Sequence, residues 1–136
     1  IMDEFKLIEK YFLKLSKKNK SSLNLNDDVF FDKKKGLAIT IDTYIEGNHF
    51  LNFNNPDLVI KKIIRSSISD LVCKGIIPKF YFISASGNKK KLSKKNLLKI
   101  SKSLKQEQDK IWNCFIWWRY SILGGIKFFY YFRWLC

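Results

Sequence analysis

Between Gly36 and Gly47 the residues alternate without a break. Leu37, Ile39, Ile41, Thr43 and Ile45 fall on one side; Ala38, Thr40, Asp42 and Tyr44 fall on the other. A period of two sustained over nine residues admits a strand and excludes a helix. It also sets a carboxylate, Asp42, beside the Thr40 hydroxyl on the side away from the aliphatic row. The chain has only 12 acidic residues against 26 basic ones, and most of the acids lie in ordinary solvated surroundings. Asp42 and Asp70, the latter in Ile68-Ser-Asp-Leu-Val72, instead interrupt apolar runs. A carboxylate near a core has to find a cation, hydrogen bonds or a metal, because burying it unpaired is very costly.

Other segments show helical spacing. Residues 3–15 bring Phe5, Leu7, Ile8, Tyr11, Phe12 and Leu15 to one face. Residues 56–74 follow a start at Asn55-Pro56-Asp57, with Asn55 as cap, and carry Val59, Ile60, Ile63, Ile64, Ile68 and Leu71 before Gly75. Residues 93–108 turn Leu97, Ile100 and Leu104 inward. Pro78 to Ser84 reads as a second strand. The order is helix, strand, helix, strand, helix, which predicts an α+β fold with a mixed sheet flanked by helices. Asp70, seven residues after Ile63, falls at the edge of the buried stripe of its helix.

The net charge of +14 raises the question of a nucleic-acid partner, and a basic nucleic-acid-binding module is the alternative reading. Lysine supplies 23 of the 26 positive charges and arginine, the better phosphate fork, only three. Lys and Asn have A-rich codons, so a genome of low G+C content accounts for the excess without a nucleic-acid partner. Lys33-Lys34-Lys35 and Lys89-Lys90-Lys91 adjoin Gly36 and Gly87-Asn88, as solvated turns do. Cys73, Cys114 and Cys136 are odd in number and lack metal-ligand spacing, which points to a reducing compartment. Ile1 precedes Met2, as in a translation that runs past its start. The first residues lack the pattern of a secretory signal, so a cytoplasmic location is expected.

From Ile111 the composition changes. All four Trp and two of the three Arg fall in the last 26 residues, 11 of which are aromatic. A membrane anchor through residues 111–136 is a further alternative, but Arg119, Lys127 and Arg133 interrupt it, at about 2.5–3.5 kcal/mol for each central charge. No helical or alternating period organises this stretch. A change of reading frame near residue 110 explains it better. Trp117-Trp118 fixes the bases TGGTGG; with Arg119 encoded by AGA, reading one base later gives Gly-Gly-Asp. Shifting the preceding residues in the same way permits a short apolar strand.

Three motifs in order, Asn26-Asp27-Asp28, Asp42-Thr-Tyr-Ile-Glu-Gly-Asn-His-Phe50 and Ser69-Asp-Leu-Val-Cys-Lys-Gly75 with Pro78, resemble the N-terminal domain of thiamine-monophosphate kinase, in the aminoimidazole-ribonucleotide-synthetase superfamily. The resemblance covers about residues 3–109, and Asp-Thr-x-x-x-Gly-x-His-Phe is its most specific part. It implies a kinase N-terminal, ATP- and Mg²⁺-binding domain over 3–109, and an aberrant, out-of-frame tail over 110–136. The implied reaction passes the γ-phosphoryl of ATP to thiamine monophosphate, giving thiamine diphosphate. Asp28, Asp42 and Asp70 are then metal ligands, with Thr40 a further one, Asp27 an auxiliary acid and His49 a contact to the substrate. No side chain serves as nucleophile, since the substrate phosphate attacks. An oxygen-only donor set beside a single histidine suits Mg²⁺ before zinc.

The family domain pairs as a homodimer by joining sheets, and a misread tail works against that pairing here. Asn26 stands where the family has Gly. The family's final Gly-Gly-Asp-Thr and its C-terminal domain are not in the chain, so the fragment is expected to be inactive alone. Taken singly, Asp27-Asp28 also reads as a loop or helix cap, Asp42 as a strand-end carboxylate bonded to backbone, Asp70 as a partner of Lys74, and His49 as a packed loop residue.

Overall fold

The structure, a computed structural model, describes residues 3–111, 114–122 and 127–133. A first helix, α1 (Glu4–Tyr11), leads through two short 3₁₀ segments, Leu13–Ser16 and Lys20–Leu25, into strand β1 (Val29–Asp32). Then come β2 (Leu37–Ile45), α2 (Pro56–Val72), β3 (Phe80–Gly87), α3 (Lys94–Ile111), β4 (Cys114–Ile122) and β5 (Lys127–Arg133). The five strands form one sheet in the order β1-β2-β5-β3-β4. β1–β2, β2–β5 and β5–β3 are antiparallel, and β3–β4 is parallel. The α+β class and the mixed sheet are those expected. A parallel neighbour needs a crossover, which α3 provides between β3 and β4.

The alternation at 37–45 makes a strand whose buried face is the opposite of what hydropathy suggests. Ala38, Thr40 and Tyr44 are buried, whereas Ile41 on the aliphatic side is 57% exposed. The reason is α2, which packs against the small-residue face and adds Ile60, Ile63, Ile64, Ile68 and Leu71 to the core with Tyr81, Ile83 and Ala85 of β3. The polar Thr40 and half-buried Asp42 therefore lie under the helix that carries Asp70.

Three further differences have physical causes. β1 was not expected, because Val-Phe-Phe-Asp is too short to show a period; it forms as one arm of a hairpin, Val29 opposite Thr40 and Asp32 opposite Leu37. The turn between its strands runs through the Lys33-Lys34-Lys35 run, with Asp32 accepting the amides of Lys34 and Lys35 and Gly36 at φ +56°. Asn55 makes no side-chain cap; its carbonyl accepts the Val59 amide instead. Residues after 110, which show no clear period, supply β4 and β5, so the sheet draws strands from both sides of the boundary placed at 109/110. Aromatic-rich stretches suit strands whatever their alternation. Among the described residues no helix is long and apolar enough to cross a membrane.

α2 and α3 are joined by a bidentate pair: Arg65 Nε and Nη2 donate to the Glu107 carboxylate at 2.7 and 2.9 Å, and Lys110 lies 3.5 Å away. Glu107 is 1% exposed. The hydrogen bonds from Arg65 hold its carboxyl below the ordinary glutamate range, against the opposing effect of burial. A depressed carboxyl contributes stability above its unfolded pKa and loses it as pH falls through the folded one. Glu107→Gln is thus expected to lower the urea midpoint near neutral pH, with the gap from the parent closing in acid. A gap that stays constant from pH 6 to pH 3 would contradict this account.

Candidate metal and phosphate site

The acids singled out in the sequence gather where β1, β2 and the end of α2 meet. Asp27 closes a tight turn into β1: its Oδ1 accepts the Val29 amide at 2.9 Å and pairs with Lys74 Nζ at 3.1 Å. Asp28, next to it, is exposed, and its carbonyl accepts the Thr40 hydroxyl at 3.4 Å. Thr40 thus ties the hairpin together, with its proton directed at a backbone carbonyl. Asp42 is bonded to the phenol of Tyr44, whose Oη donates to Oδ2 at 3.2 Å. Asp70 projects from the last turn of α2.

The effect of this gathering is felt at Asp70. Burial, then the charges of Asp42 and Asp28, push the Asp70 carboxyl up; Lys74 opposes them and Asp27 adds a little. Among the described residues, four acids therefore share one field with a single lysine in it. Lys74 forms its ion pair with Asp27 rather than with Asp70, so the i,i+4 alternative for Asp70 is not the arrangement found. Among the described residues no three His, Cys, Asp or Glu side chains are close enough together to hold one ion. The acids stand within electrostatic reach of each other but not as a closed ligand cage. A cleft of about 330 Å³ opens beside Asp27 and Asp28, lined also by Asn26 and Lys74, with Glu4 and Phe5 of α1; Asp42 and Asp70 are not in its walls. A larger depression of about 720 Å³, around Leu13, Lys14, Lys17 and Asn24, has no acid in its walls.

Asn26 needs none of the freedom of glycine, since its φ is −93°. The left-handed conformations lie just upstream, at Leu23, Asn24 and Leu25 (φ +49°, +57° and +56°). For leucine that conformation is uncommon and strained.

The turn after β2 presents His49. Gly47, at φ +87°, donates its amide to the Phe50 carbonyl at 2.7 Å. His49 Nδ1 accepts the Ile45 amide at 3.0 Å, so a neutral ring carries its proton on Nε2. The His49 carbonyl accepts Lys62 Nζ at 2.5 Å, and the ring meets that of Tyr44 edge-on, centroids 5.7 Å apart. His49 is exposed. The turn is pinned to the rest of the fold by Glu46, which pairs with Lys91 and accepts the Phe53 amide. Tyr44, Ser67, Glu46 and Lys62 were not singled out in the sequence. Tyr44 alone had a signal, since it shares a strand face with Asp42.

The model of the AIR synthase related protein family, N-terminal domain, matches residues 25–125. The chain belongs to this family. Its similarity to curated thiamine-monophosphate kinases is 35% identity over 85 residues with that of Buchnera aphidicola from Acyrthosiphon pisum, 60% of this chain and 26% of that protein. With the Bacillus subtilis enzyme it is 32% over 87 residues, 61% and 27%. The chain thus spans about a quarter of the length of the relatives it matches. Among solved structures, AaThiL complexed with AMPPCP and TMP superposes with a TM-score of 0.80 at 24% identity, over 96% of this chain and 41% of that one. A thiamine-monophosphate kinase from Aquifex aeolicus gives 0.77 at 22%, over 97% and 43%. The HypE–HypF complex gives 0.65 at 15%, over 93% and 41%. At those identities the superpositions speak for the fold.

Proposed function

We propose that this chain is the ATP- and Mg²⁺-binding N-terminal domain of a kinase that converts thiamine monophosphate to thiamine diphosphate. The observation that carries this reading is the segment Asp42–Phe50, which sets an acid and a histidine on either side of Tyr44. It sits in a chain whose curated relatives are thiamine-monophosphate kinases. Asp28, Asp42 and Asp70 are the proposed metal ligands, with Thr40 on the rim. Asp27, bonded to Lys74 and to the Val29 amide, shapes the turn that presents Asp28. His49 offers Nε2–H to the substrate. The donor set fits a hard dication: oxygen-only, rich in negative charge and short of cations. Because no three acids share one position, water completes the shell, as Mg²⁺ prefers. When bound, Mg²⁺ offsets charge on the transferring phosphates. The residues of this chain position and neutralise; the attacking oxygen belongs to the substrate.

We further propose that the reading frame changes near residue 110. The abrupt composition and the Trp-constrained codons support this, and the shifted text supplies an apolar strand ending in Gly-Gly-Asp where β4 lies. The 136-residue chain is then expected to form no thiamine diphosphate. The frame-restored, full-length protein should form it from ATP and thiamine monophosphate but should not phosphorylate unphosphorylated thiamine. A CGN codon at Arg119, or a stop between codons 111 and 120 of the shifted frame, would remove the frame proposal. Equal use of both acceptors would remove the assignment of substrate.

A further inference from the structure

We propose that Tyr44 is a positioning residue that fixes the Asp42 carboxylate relative to Asp70, acting through Ser67; this rests on the metal reading above. Tyr44 is 6% exposed, and its hydroxyl meets Asp42 Oδ2 at 3.2 Å on one side and Ser67 Oγ at 3.0 Å on the other, with the Ser66 hydroxyl of the same helix as a further partner. A carboxylate has no proton to give. The phenol proton therefore points at Asp42, and Ser67 is the donor to Tyr44. That direction makes a relay from α2 to β2: Ser67 to Tyr44 to Asp42. Ser67 is fully buried in α2 and lies three residues before Asp70, on the same side of the helix. The relay thus ties the Asp42 carboxylate to the helix that carries the second acid.

The tie matters because the acids repel. A carboxylate free to rotate would swing away from neighbouring like charges. With Oδ2 held by the phenol, Asp42 keeps its other oxygen for a cation, as outer partners do for metal-ligating carboxylates. The ring of Tyr44 has a separate task, its edge contact with His49. Phenylalanine keeps the ring and removes only the hydroxyl, so Tyr44→Phe isolates the relay. A phenol that merely finds partners in a core would affect stability alone.

The test is Mn²⁺ binding to the 136-residue chain, followed by the electron paramagnetic resonance of free Mn²⁺. Asp42→Asn should weaken binding. Tyr44→Phe is expected to weaken it about tenfold, and Ser67→Ala in the same direction by less. On top of Asp42→Asn, Tyr44→Phe should add nothing, because its effect passes through that carboxylate. Parent-like affinity in Tyr44→Phe, or an equal loss in the Asp42→Asn background, would overturn the role of Tyr44 while leaving the metal site standing. A parent chain whose Mn²⁺ binding ignores Asp42→Asn would overturn the metal reading and this inference with it. Should Tyr44→Phe fail to fold, parent-like affinity in Ser67→Ala combined with Ser66→Ala, which removes both hydroxyls that α2 offers to Tyr44, would overturn the relay.

Discussion

Asp70→Asn is expected to abolish phosphoryl transfer while making the fold more stable. In the frame-restored, full-length protein, loss of one proposed metal ligand should lower thiamine diphosphate formation by about a hundredfold or more, since metal stabilisation of transition-state charge is worth several kcal/mol. In the 136-residue chain the same change should raise the urea midpoint at neutral pH. The sign follows from the carboxyl itself. Burial and the charges of Asp42 and Asp28 raise its pKa in the fold, so the ionised form is disfavoured there above that pKa. The penalty disappears as pH falls through it. Asparagine keeps the shape and removes the charge. The stability gain should therefore be present at pH 7 and absent in acid. A variant that loses stability at pH 7, or keeps full activity, would contradict the placement of Asp70 in the acid group.

Leu71→Ala is expected to cost about 2–5 kcal/mol of stability, the range for emptying a well-packed leucine site. Leu71 is fully buried between α2 and the sheet, and its carbonyl accepts the amides of Lys74 and Ile76, which close the helix. Domains of this size have only about 5–15 kcal/mol in total, so much of the margin would go. Val72, the next residue, is exposed, and Val72→Ala should stay within about 0.5 kcal/mol. Urea unfolding of both variants checks the contrast. Equal losses would mean that the helix end is not packed as described.

How much of this was legible beforehand depends on range. Local signals worked: the alternation at 37–45 is β2 to the residue, and the helix from Pro56 to near Gly75 is α2 to within two residues. What failed was anything decided by a distant partner. The alternation of β2 does not say which of its faces is covered; Ala38 and Thr40 are buried because α2 packs on them. Lys74, four residues from Asp70, pairs instead with Asp27, which only the folded hairpin brings near. β1 is too short to carry a period, and it exists because β2 offers it an edge. At the site, motif order brought forward Asp28, Asp42 and Asp70, and the charges of the first two push the Asp70 carboxyl up. Tyr44 was placed on the face of Asp42 but given no role, because only the fold brings its hydroxyl between Asp42 and Ser67 of α2.

Central to the proposed function is that Asp42 and Asp70 serve phosphoryl transfer to thiamine monophosphate. Phosphorus-31 NMR of the frame-restored, full-length protein with ATP, Mg²⁺ and thiamine monophosphate measures this directly. The predicted result is steady growth of the thiamine diphosphate resonances as ATP declines to ADP, abolished by chelating Mg²⁺ and by Asp42→Asn. No thiamine diphosphate from the parent protein, or undiminished formation by Asp42→Asn, would contradict it.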